Sequence, residues 1–119
     1  MNPDLDIKEL RKKLNRCYSK DLCYPKVKDK WDKNNKSFGM CAITALVVND
    51  YYGGEICKIY VDGISHYFNI VNDKIIDLTS NQFGKSINYD NYQKVDRKEM
   101  LTNDTQKRYK YLKQKLSSI

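Results

Sequence analysis

The chain has 119 residues, 40% of them hydrophobic and 31% charged, with a formal net charge of +7. That length fits one domain, residues 1–119, able to bury a core without disulfides or a structural metal. No apolar run approaches the roughly 20 residues needed to cross a bilayer, and residues 1–10 hold Asp4, Asp6 and Glu9 where a secretory signal would be basic and then apolar. The expectation is a soluble, cytoplasmic protein with no membrane partner.

In chain order, the first predicted element is a helix. Asn2 is placed to cap it, Pro3 suits its first turn, Asp4 and Asp6 favour the positive end of its dipole, and Ile7, Leu10, Leu14 and Cys17 recur at helical spacing. Lys8, Arg11, Lys12 and Lys13 form its other face. Residues 19–38 are polar, contain Pro25 and Trp31, and lack helical or strand periodicity, which predicts a long loop. Gly39-Met40-Cys41 then opens an apolar helix that runs to Gly53-Gly54, the predicted central buried helix.

Three strands follow: 55–62, 65–71 and 74–78, with turns at Asp62-Gly63 and Asn72-Asp73. Residues 79–91 read as irregular, with Phe83 and Ile87 as anchors. A last helix opens at Asn103, with Gln106 three residues on as in a capping box, and an inner stripe of Tyr109, Leu112, Leu116 and Ile119. The class is α+β: a central helix with an amino-terminal cysteine on a small antiparallel sheet, flanked by terminal helices.

The charge is unevenly spread. Residues 1–36 and 92–119 each carry net +5, and residues 37–91 carry net −3. Basic terminal helices allow a nucleic-acid-binding reading, though solvated lysine faces are the commoner use of such residues. The four cysteines, Cys17, Cys23, Cys41 and Cys57, form no C-x-x-C pair, and with one histidine they match no zinc spacing, so no metal or other cofactor is expected.

One constellation carries chemistry. Cys41 opens the central helix, where unsatisfied N–H groups and the helix dipole stabilise a thiolate, and the same N–H groups can hold the oxyanion of a tetrahedral intermediate. His66, the sole histidine, lies near the start of the second strand, and Asp77 near the end of the third. If Asn72 and Asp73 are the two central turn residues, Phe68 faces Asp77 and His66 faces Thr79, so His66 and Asp77 leave the sheet on the same face as diagonal neighbours. A three-residue loop would put them on opposite faces. The roles that follow are nucleophile for Cys41, general acid and base for His66, and orienting carboxylate for Asp77. Each residue also has a structural use: a buried thiol, a satisfied half-buried histidine, a turn-capping aspartate.

The stretches from Gly39 to Val48, Asp50 to Ile56, Ser65 to Asn69 and Ile76 to Thr79, with Gln82-Phe83 and a carboxyl-terminal portion holding Leu101 to Thr105 and Arg108-Tyr109, closely resemble the YunG-like family of small, largely uncharacterised bacterial proteins. The layout also resembles the papain and transglutaminase type of fold, in which a helix-start cysteine faces a sheet carrying His and then Asp or Asn. That likeness implies the roles already given to Cys41, His66 and Asp77. The family pattern has Gln just before the cysteine, where this chain has Met40; a thioether is no donor, so oxyanion binding would fall to backbone N–H groups, Gln82 or Asn69.

Three functions compete. The first is a thiol enzyme acting on an amide or acyl group of a small molecule, peptide or protein (a peptidase, deamidase, or acyl or γ-glutamyl transferase), with Trp31, Tyr67, Asn69 and Gln82 contacting substrate. The second is a non-catalytic binding or regulatory protein on the same fold. The third is a basic nucleic-acid-binding protein.

Overall fold

The computed structural model describes residues 6–119, and the capping role read for Asn2, with the first-turn roles of Pro3 and Asp4, lies outside them. The first helix, α1, spans Ile7–Cys17, and its cap among the described residues is Asp6, whose carboxylate accepts the Lys8 N–H at 2.9 Å. Leu10, Leu14 and Cys17 are buried, so the helical spacing read from the sequence is the core-facing stripe.

The stretch read as a featureless loop holds two short 3₁₀ turns, Lys20–Leu22 and Pro25–Lys30. Pro25 supplies the fixed φ that starts the second, and Leu22 and Cys23 are fully buried, pinning the segment to the core. A three-residue repeat of backbone bonds leaves no 3.6-residue apolar pattern, which is why the sequence did not announce it.

The central helix α2 spans Cys41–Tyr52, with six consecutive buried residues from Ile43 to Val48. A helix apolar all round must be enclosed, and α2 packs on the sheet and against the last helix of the chain. It ends at Gly53, where φ is +71°.

Four antiparallel strands form one sheet in the order β3-β2-β1-β4: β1 Glu55–Val61, β2 Ile64–Val71, β3 Lys74–Ile76 and β4 Gln93–Val95. The β1–β2 turn, Asp62-Gly63, and the β2–β3 turn, Asn72-Asp73, both have positive φ at each central residue, the two-residue hairpin geometry that matches strand twist. Val71 pairs with Lys74, Ile70 with Ile75 and Asn69 with Ile76. β3 stops two residues before the expected Leu78, because the Asp77 side chain accepts the Thr79 N–H at 3.2 Å and bends the chain away.

β4 and the single helical turn α3, Arg97–Met100, were not foreseen. β4 is three residues long with two of them exposed, so it carries no alternating apolar signal. The last helix, α4, spans Asn103–Ser117, but its cap is Thr102, whose Oγ1 accepts the Thr105 N–H at 3.4 Å. Gln106 bonds the Thr102 carbonyl through its backbone only, so the capping box read at Asn103 is displaced by one residue. Ile119 is 48% exposed and leaves the inner stripe, which is made by Thr105, Arg108, Tyr109 and Leu112, with Leu116 partly buried against the same core.

The sheet separates two apolar clusters. Ile56 joins the large one with α1, α2 and α4. Cys57, Ile59, Val61 and Phe68 face the other way, where Phe83, Ile87 and Tyr89 from the irregular segment cover them. Phe83 and Ile87 thus act as the anchors read from the sequence.

Candidate active site

His66 lies on the face of β2 that it shares with Phe68, opposite Ile59 of β1, and is fully buried. Its Nε2 stands 2.6 Å from Asp77 Oδ2. The two-residue turn at Asn72-Asp73 is what brings them together, since it fixes the register in which Asp77 follows Ile76 onto that face. Phe83 meets the imidazole edge-on at 4.9 Å between ring centroids. Cys41, in the first turn of α2, lies near enough to the same ring to raise its pKa.

Burial opposes a charge on His66, yet its hydrogen bond to Asp77, the influence of Cys41 and the charge of Asp77 outweigh it and push the pKa up to about 9. With Nε2 committed to the carboxylate, the other ring nitrogen, Nδ1, is left to exchange a proton with a nearby group. Gln82 Nε2 stands 3.5 Å from Nδ1, at the outer limit of hydrogen bonding.

The carboxylate of Asp77 is itself held in place. Tyr89 donates its hydroxyl to Oδ2 at 2.7 Å, and the Thr79 N–H engages Oδ1. Burial, followed by the Asp77 hydrogen bond and charge, pushes the Tyr89 hydroxyl well above its ordinary value, so it remains a donor. Arg11 adds a bond to the Asp77 backbone carbonyl at 3.3 Å. Tyr89 and Arg11 were not picked out by sequence reasoning: Tyr89 sits in an irregular polar stretch, and Arg11 reads as one cation among several on α1.

Cys41 has the local setting that its position suggests. Met40, the residue before it, makes no side-chain cap, and the N–H groups of Cys41, Ala42 and Ile43 take no hydrogen-bond partner among the described residues. Those donors face whatever approaches the thiol. Of the four free cysteines, Cys41 alone is not buried. Burial pushes the thiols of Cys17 and Cys23 up, and that of Cys57 to about 11.

The same stretches that build this site are the ones that carry the likeness to known proteins. A family model described as YunG protein matches residues 6–119. The chain belongs to the YunG family. The "Uncharacterized protein YunG" of Bacillus subtilis (strain 168) is 35% identical over 88 residues, covering 74% of this chain and 76% of its own length. No solved structure matches.

Within this YunG-family chain the remaining sequence-nominated residues divide. Gln82 joins the site: its Oε1 accepts the Gly39 N–H at 3.2 Å, its Nε2 donates to the Thr79 carbonyl at 3.0 Å, and it lies beside His66. Tyr67 is half-buried and packed against the large cluster on the α2 side of the sheet, and burial chiefly, with the Cys41 charge contributing, raises its hydroxyl pKa. Asn69 is not brought to the His66 ring. It is 2% exposed and donates to the Ala45 carbonyl at 3.0 Å, tying β2 to α2. Trp31 folds onto its own loop, its indole N–H donating to the Lys36 carbonyl at 3.1 Å.

Met40 is fully buried in the large cluster, so its side chain points into the core. Among the described residues no group of three or more His, Cys, Asp or Glu is placed to hold a metal ion, and no helix is long and apolar enough to cross a membrane.

Proposed function

We propose that Cys41, His66 and Asp77 form a thiol active site that cleaves or transfers an amide or related acyl group. The observation that carries this reading is the buried contact of His66 Nε2 with Asp77 Oδ2 at 2.6 Å, with Cys41 near enough to the same ring to raise its pKa. In this reading His66, protonated below about pH 9, already holds the proton of the Cys41 thiol at Nδ1, and the sulfur attacks the acyl carbonyl as the thiolate. The oxyanion gathers at the free N–H groups of the first turn of α2. His66 then returns the proton to the leaving amine, leaving a thioester on Cys41 for water or an acceptor amine to resolve. Asp77 keeps Nε2 protonated throughout. The order of parts, cysteine on a helix start and His and Asp on a hairpin, parallels papain- and transglutaminase-type enzymes, a likeness of layout alone.

A second reading is a binding or regulatory protein without turnover. What favours it is the complete burial of His66. An activated acyl ester separates the two. After incubation with p-nitrophenyl acetate, intact mass and peptide mapping should find the acetyl group on Cys41, with His66→Gln slowing its formation by about 10²-fold. Acetylation of Cys41 at the same rate in both proteins, or acetylation spread over surface lysines only, counts against the enzyme and for the binding protein.

A further inference from the structure

We propose that the trench between α1 and the outer edge of β3 is a docking groove for an extended, acidic peptide segment. The trench comprises two adjoining hollows, of about 450 and about 290 Å³, which share Arg11 and Leu78 as a common wall. Its character has two sides. Ile7, Ile75, Ile76 and Leu78 make it apolar, and Lys8 and Arg11 make one wall basic.

Charge is the first argument for the occupant. Neither Lys8 nor Arg11 has a carboxylate partner among the described residues, and the neighbouring Lys12 has only an exposed contact with Glu9 at 3.6 Å. Asp77 lines the trench too, but its carboxylate is 4% exposed and is turned to His66, Tyr89 and Thr79, so it does not neutralise the wall. Two cations beside an apolar floor are complementary to carboxylates on an otherwise apolar chain.

The strand edge is the second argument, and it selects a peptide over a small carboxylate. β3 is an outer strand, paired only with β2 among the described residues. Val71 and Lys74 flank a two-residue turn and exchange both their hydrogen bonds, so the next pair, Ile70 and Ile75, directs its backbone groups away from each other. For Ile75 that direction is the open edge. Two residues on, the Asp77 carbonyl points the same way and is taken by Arg11. An extended peptide can pair with Ile75 N–H and C=O while its alternate side chains reach the basic wall and the apolar floor. The second hollow ends at Tyr18, whose hydroxyl is 2.6 Å from Thr44 Oγ1, one helical turn beyond Cys41. Binding in this trench stands or falls separately from turnover at Cys41.

The test is an array of acetylated, amidated heptapeptides probed with the full chain at low salt, followed by amide chemical-shift mapping with the best binders. Selection for Asp or Glu among β-branched residues is expected, with shifts concentrated at Arg11, Ile75 and Leu78. N-methylation of alternate peptide groups should abolish binding, and the Lys8→Gln/Arg11→Gln variant should weaken acidic peptides about tenfold while leaving neutral ones unchanged. No binding, no acidic selection, binding indifferent to N-methylation, or shifts spread over the basic face of α4 would each overturn the proposal. The peptide modifications act on the unaltered protein, so the outcome does not depend on the variant folding.

Discussion

The His66 ring and the Asp77 carboxylate meet at 2.6 Å with side chains 0% and 4% exposed, a contact made on the dry side of a hairpin. There, against the opposing effect of burial, Asp77 together with Cys41 raises the folded-state pKa of the imidazole to about 9, against an ordinary value of 6.5. A pKa raised on folding contributes stability that is fully present below the unfolded value and is lost as pH rises through the folded one. The urea midpoint should therefore fall between about pH 6.5 and pH 9, and Asp77→Asn should flatten that fall. NMR titration of the imidazole should show its pKa dropping by at least about one unit in Asp77→Asn. An unchanged pKa in that variant would refute the assignment of Asp77 as its partner.

Thiol accessibility gives a second test. Cys41 is the one cysteine not buried, and the other three are shielded and held protonated by burial. Brief treatment of the folded protein with iodoacetamide should modify Cys41 first, by at least about tenfold in rate, with the others labelled only in denaturant. Equal labelling of all four would mean that the helix start gives the thiol no advantage.

Asn69 separates structure from chemistry. Replacing it with Ala removes its bond to the Ala45 carbonyl and leaves a gap between β2 and α2, at a cost of about 1–3 kcal/mol in urea unfolding. The rate of Cys41 alkylation should stay unchanged. If the variant keeps its stability and loses thiol reactivity, Asn69 belongs to the site after all.

Gly39 sets the approach of the chain to Cys41. Its φ is +74°, and a Cβ there would lie 2.4 Å from Cys23 Sγ. Gly39→Ala combines left-handed backbone strain with overlap against a buried sulfur, so a loss of about 2–4 kcal/mol is expected, together with slower Cys41 labelling. Wild-type stability in a thermal melt would exclude this account.

What could be seen in advance depended on local periodicity. The His66–Asp77 contact was legible because Asn72-Asp73 is a two-residue turn, and a hairpin of known register decides which side chains share a face. The enclosure of α2 was legible because Ile43 to Val48 leave no polar face. Tyr89 was not legible, since its link to Asp77 depends on how an irregular segment folds back over β1 and β2. Asn69 looked like a partner for substrate because it neighbours His66 in sequence, but alternation along β2 turns it toward α2. The short polar strand β4 and the turn α3 carry too few apolar residues to declare themselves.

The segment before Cys41 and the segment after Asp77 are fastened side by side through three hydrogen bonds: Asn35 Nδ2 to the Gln82 carbonyl at 3.0 Å, Ser37 Oγ to Asn81 Oδ1 at 2.9 Å, and the Gly39 N–H to Gln82 Oε1 at 3.2 Å. Each bond contributes only about 1 kcal/mol net, far less than the apolar packing that holds α2 to the sheet. The seam over His66 is therefore the weakest part of its enclosure, and it can part while both apolar clusters stay intact. Hydrogen exchange at Gly39 and Gln82 should outpace exchange in α2 and β2. A buried imidazole behind a seam of this kind is sealed against solvent at rest and reachable on each opening, so its complete burial does not bar the chemistry proposed for it.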